Sequence, residues 1–159
     1  NYPKNLNVSY DGKIMRASSR IHIYANVNKI ESFKDELSNE VFLEVKNATK
    51  LFLEFHKCGK VKGQIKSKIA EVNLFNSNID VTGNIESLNL IAENSNVRFF
   101  KLKTNEIGLK SKNSNIELFV KEKLKINELM GTTMRYKGGS ILDINPKIEI
   151  KSSSIDKME

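Results

Sequence analysis

The chain has 159 residues, 39% hydrophobic and 28% charged, which suits one domain with a real core; no run approaches the ~18–20 continuous apolar residues of a spanning helix. Its 26 Lys and Arg against 19 Asp and Glu give +7, but the cations are mostly Lys interleaved with acids. No recognition motif or aromatic stacking platform accompanies them, so nucleic acid is not an expected partner.

The first 50 residues read as an irregular N-terminal cap and first coil. Ile14, Ile21, Ile23 and the run Val41, Leu43, Val45 alternate as strands do, whereas Ile30, Phe33 and Leu37 are spaced for one short helical face after Asn28. His22 and His56, the only histidines, lie in alternating runs without the HxH or HxxxH spacing of a metal site, so they read as strand-face residues. Cys58 is the only cysteine, which excludes an internal disulfide and a Cys-rich zinc site; it reads as a small, partly buried residue beside a turn.

From residue 51 to 159 a repeat organises the chain. NSNIDV from Asn76, NSNVRF from Asn94 and NSNIEL from Asn113 each place an apolar, charged, apolar triplet after a polar turn. The anchors Val61, Ile79, Val97, Ile116, Met134 and Ile155 recur at intervals close to 18 residues, with Val81, Phe99 and Leu118 beside the central three. The turns at Cys58-Gly59-Lys60 and Gly131-Thr132-Thr133 fit the motif less closely. A second alternating pair precedes each turn: Val72/Leu74, Leu88/Leu90, Ile107/Leu109 and Ile148/Ile150. A coil of this length has room for two or three short strands but not for a strand and a full helix. The expected fold is therefore all-β over 1–159: a single-stranded parallel β-helix of roughly 18-residue coils, wound right-handed as parallel crossovers are.

Strand alternation turns the residue after each anchor outward: Lys62, Asp80, Arg98, Glu117, Arg135 and Asp156, whose signs alternate and predict a charge ladder along the stack. It also turns Phe75, Phe100 and Phe119 outward, which makes them candidates for a binding surface. The repeated Asn is read as structural, because Asn tolerates left-handed backbone and its amide can bond to its equivalent one coil away. No phosphate loop, nucleophile elbow or metal-ligand cluster occurs, so no catalytic, cofactor or metal residues are expected.

The closing stretch RYKGGSILDINPKIEIKSSSIDKM, with Tyr136, Gly138, Asn145, Pro146 and Ser152 to Ser154, resembles the end of the auto-transporter adhesin head (GIN) domain family, which closes with a turn, an aromatic-x-Gly segment, an Asn-Pro and a Ser/Gly-rich coil. The likeness covers residues 60 to 159 well and the first third loosely. It implies a non-enzymatic β-helical module of a bacterial envelope or cell surface that presents a rigid face to a protein or polysaccharide. No signal is visible in the chain itself, and its start at Asn1 leads us to expect that the original N-terminus has been removed or replaced. The alternatives are a self-assembling homo-oligomeric solenoid of bactofilin-like type and, third, a polysaccharide-acting β-helix enzyme.

Overall fold

A computed structural model describes Ile14–Ala17, Ile21–Ile23, residues 32–148 and residues 150–159. The described chain is a parallel β-solenoid with no helix. Its strands are β1 (Ile14–Ala17), β2 (Ile21–Ile23), β3 (Ser32–Glu36), β4 (Val41–His56), β5 (Val61–Phe75), β6 (Asn78–Glu93), β7 (Asn96–Lys112), β8 (Asn115–Met130), β9 (Thr133–Lys137), β10 (Ile141–Ile144) and β11 (Ser154–Lys157). From β4 to β8 a single long strand bends round almost the whole coil and pairs in parallel with the coils before and after it. Near-continuous pairing satisfies the backbone polar groups along these coils, which lets short, Asn- and Ser-interrupted apolar runs hold a strand that would be marginal alone.

The register is set by one column. Ile21, Val41, Val61, Ile79, Val97, Ile116, Met134 and Ile155 lie opposite one another in successive coils. The described residues Val41 to Met134 of this column are buried. The intervals from Val61 to Met134 are 18 or 19, but Val41 to Val61 spans 20 residues, because the turn Lys57-Cys58-Gly59-Lys60 holds one residue more than the Asn-Ser-Asn turns and a bulge between Val45 and Ala48 adds another; Met134 to Ile155 spans 21. The trailing stretch of each coil points three residues inward, not two: Ala70/Val72/Leu74, Leu88/Leu90/Ala92 and Ile107/Leu109/Ser111. Val72 therefore faces Leu90, and the expected pairing of Val72/Leu74 with Leu88/Leu90 is one pair out of phase.

Gly63, two residues past its anchor, and Gly83 and Gly138, four past theirs, take φ of 140°, 124° and 113°. A Cβ at Gly83 would lie 2.0 Å from the Ile65 carbonyl oxygen, so the coil can turn this tightly only without a side chain.

The helical face expected after Asn28 is corrected. Asn28 and Ile30 lie outside the described residues, and Phe33 is a buried member of strand β3, paired with Leu53 and 5.7 Å from the Phe55 ring. Leu37 is exposed at a left-handed turn with φ 66°. An i, i+4 spacing fits a strand followed by a turn as well as a helix, and the paired edge of β4 selects the strand.

Candidate binding furrow

The Asn-Ser-Asn turn divides three tasks among three residues. Asn76, Asn94 and Asn113 take left-handed backbone with φ of 51°, 49° and 48°, which reverses the chain. Ser77, Ser95 and Ser114 point inward and are buried. Each hydroxyl donates to the carbonyl two residues earlier, at Phe75 (2.9 Å), Glu93 (2.7 Å) and Lys112 (2.7 Å). Ser95 and Ser114 also accept the backbone N–H of Ser77 and Ser95, both at 3.1 Å. The second Asn faces out and builds an amide ladder: Asn115 Nδ2 donates to Asn96 Oδ1 at 2.9 Å, Asn96 Nδ2 to Asn78 Oδ1 at 2.6 Å, and Asn78 Nδ2 to the Gly59 carbonyl at 2.8 Å. Repeated Asn at the corner is thus structural, as its chemistry predicts.

Two residues along from the amides runs the charge column. Lys62, Asp80, Arg98, Glu117, Arg135 and Asp156 are consecutive partners in register, one per coil. Among the described residues one rung closes as an ion pair, Glu117 with Arg135, while Lys62 reaches back to Glu40 at 3.8 Å. The column continues toward the N-terminus as Phe42, an uncharged residue.

Between the amide and charge columns the buried anchors leave a shallow furrow along the stack. It has two recesses that share Asn96 and Arg98, one of about 430 Å³ from Gly59 to Arg98 and one of about 470 Å³ from Asn96 to Arg135. Volumes of this size fall within the range of ligand sites. Its floor is backbone whose N–H and C=O groups are engaged in the sheet, so the side chains it presents are those of its walls: amides on one side, alternating cations and anions on the other. Equivalent groups repeat at ~4.8 Å, the coil spacing.

The three phenylalanines do not form one strip. Phe75 ends a trailing stretch, half-buried, with its ring stacked on His56 at 4.6 Å between centroids. Phe100 and Phe119 lie at the opposite end of the coil, also half-buried, where β7 carries extra residues against β8. Phe119 is in register with Lys103 and Lys137, and the Lys137 ammonium sits 5.1 Å from the Phe100 ring centre. Around Phe75 the fold assembles a cluster that no local motif announces, because its members come from three coils. Glu54 Oε1 meets Lys34 Nζ and His56 Nε2, both at 3.2 Å, and Lys34 Nζ is 5.2 Å from the Phe52 ring centre. Burial pushes the Glu54 carboxyl up, but the hydrogen bonds from His56 and Lys34 outweigh it and leave its pKa below the usual value.

Cys58 occupies the inward turn position that Ser fills elsewhere. Its thiol faces the buried Asp35, with Sγ 3.3 Å from Oδ2, and Ser38 Oγ donates to Oδ1 at 2.9 Å. Burial first, and then the neighbouring carboxylate, push the thiol pKa up to about 12, the opposite of an activated nucleophile. Burial likewise raises Asp35 despite its hydrogen bonds from Ser38 and Cys58. Among the described residues no group of three His, Cys, Asp or Glu is placed to hold a metal ion.

Coils, hydroxyl-locked turns and polar furrow together define a parallel β-solenoid with a repeated polar surface. No protein-family model, curated protein or solved structure matches the sequence.

Proposed function

We propose that this chain is a non-enzymatic binding module of a bacterial cell envelope or surface, an adhesin-head type of domain that lays its furrow along an elongated polysaccharide or protein. The observation that carries this reading is the pairing of two outward columns, Asn78/Asn96/Asn115 and Asp80/Arg98/Glu117/Arg135, along two adjoining recesses. A surface that repeats once per coil suits a partner that also repeats, since each added unit meets the same groups. Alternation of sign cancels the field beyond a few Å, so a neutral or zwitterionic polymer is preferred over a strongly charged one.

The test is retention on immobilised neutral, zwitterionic and polyanionic polysaccharides, comparing the native domain with Arg98→Ala and Asp80→Ala. Native retention on a neutral or zwitterionic polymer that either variant weakens ~5-fold or more supports the furrow. Absence of retention on every polymer, or retention that neither variant changes, sinks it.

A second reading, end-to-end self-assembly, is favoured by one feature. Ile144 and Ile150 in the last coil occupy inward positions yet remain 38% exposed. Sedimentation separates the two readings, because filaments sediment as long polymers and a binding module as a small discrete species.

A further inference from the structure

The trailing stretches of β5 to β8 carry outward columns that change sign midway along the stack. On β5 and β6 these are Glu71, Asn73 and Phe75, then Asn89, Ile91 and Glu93; on β7 and β8 they are Gly108, Lys110 and Lys112, then Lys125, Glu128 and Met130. Two acids and an aromatic ring thus occupy one half, with Asn73 nearly buried between them, and three lysines with a methionine the other, where Lys112 also pairs with Glu128 of its own chain at 3.1 Å. The centre is low: a Cβ at Gly108 would lie 2.8 Å from Asn89 Oδ1, so the glycine lets the Asn89 amide lie across the strand. Beside it is a recess of about 220 Å³ lined by Ile91, Glu93, Lys110, Lys112 and Glu128.

We infer that this surface is an interface between two copies of the chain, related by a two-fold axis parallel to the strands and passing between β6 and β7. That operation exchanges β6 with β7 and β5 with β8. It sets Glu93 opposite Lys112 of the second copy, Glu71 opposite Lys125 and Phe75 opposite Met130, each contact made twice as an isologous interface requires. Ile91 meets the methylenes of Lys110, whose ammonium reaches the rim. The flat Asn89–Gly108 centre lets the sheets approach to the ~10 Å of stacked sheets. Four coils at ~4.8 Å and three outward positions across give ~400 Å² per partner, ~800 Å² in total, the size of a weak, transient interface. The dimer is accordingly salt-sensitive and weak, forming in the ~100 μM range. It leaves the Asn96–Arg98 furrow of each copy uncovered, so it stands whether or not the furrow binds a polymer.

Charge exchange tests it. Sedimentation velocity of the native chain across ~1–200 μM should show a monomer–dimer equilibrium at ~0.05 M salt that shifts to monomer at ~0.5 M. Glu71→Lys with Glu93→Lys makes both halves basic, and Lys112→Glu with Lys125→Glu makes both acidic. Each double variant, its fold checked by thermal melting, should be monomeric alone, and an equimolar mixture should recover a 1:1 dimer. Each changes the native +7 by four charges, so both stay net positive and overall attraction cannot imitate that recovery. A native chain that is monomeric at ~200 μM in low salt, variants that dimerise alone, or a mixture that stays monomeric would each overturn the interface.

Discussion

The central coils and the last coil are written in the same alternating pattern but end in different environments. Ile79, Val97 and Ile116 have a coil on either side and are at most 2% exposed. Ile155, in the same column, pairs with Met134 on one side only and is half-exposed. Strand alternation decides which way a side chain points, whereas the neighbouring coils decide whether it meets protein or water. In a solenoid burial is therefore a nearest-neighbour property, and stability should fall toward the uncovered end.

The largest effect that would break this comparison is a buried charge. Ile116→Asp should cost about 4 kcal/mol or more and melt the central coils, while Ile155→Asp should cost under ~1 kcal/mol. Urea unfolding followed by circular dichroism measures both, and similar losses would mean that the last coil is as covered as the middle. Next comes the corner. Gly83→Ala places a Cβ 2.0 Å from the Ile65 carbonyl and should cost about 2–4 kcal/mol, whereas Gly139→Ala meets the Lys121 carbonyl only at 3.4 Å and should be nearly silent.

The turn column gives a smaller contrast. Ser95→Ala removes a buried hydroxyl that both donates to Glu93 and accepts from Ser77, for about 1–3 kcal/mol. Ser153→Ala removes the equivalent bonds to Lys151 and Thr132 at the open end, where water replaces them, and should cost less than half as much. Thermal melts of the pair read the difference directly.

Cys58→Ser restores the hydroxyl column and should change stability by under ~1 kcal/mol at pH 7. The native thiol titrates near 12 instead of 9.0, so the stability of its protonated form is fully present below pH 9 and lost as pH rises toward 12. At pH 11 the Ser variant should exceed the native chain by ~2–3 kcal/mol, measured as the difference of urea midpoints at the two pH values. Smallest of all is Arg135→Ala. Its ion pair with Glu117 is solvent-exposed, so the loss should be under ~0.5 kcal/mol and should vanish in ~0.5 M salt.

Much of the architecture was legible because a stacked fold repeats its own constraints. The interval between Ile79, Val97 and Ile116 predicts their register, and the outward Asp80, Arg98 and Glu117 follow from it without further information. The phase of the trailing stretch was harder: Ala70, Ala92 and Ser111 are inward positions filled by small residues, so they carry no hydrophobic signal and Val72/Leu74 drew the frame one pair along. The furrow was half legible, as two separate columns whose common recess needed the coil geometry.

By itself the sequence determined the fold class, the approximate coil length and the structural part of Asn in the Asn-Ser-Asn turn, since these rest on local backbone preference and period-2 alternation. Only the tertiary structure decided what meets across coils. It placed Phe75 against His56, and separated it from Phe100 and Phe119. It set Cys58 on the buried Asp35, and placed lysines beside glutamates on one continuous surface. Those neighbours lie about 20 residues apart in the chain and depend on one-residue differences in turn length and on bulges, which shift partners between coils without changing the pattern along any single strand.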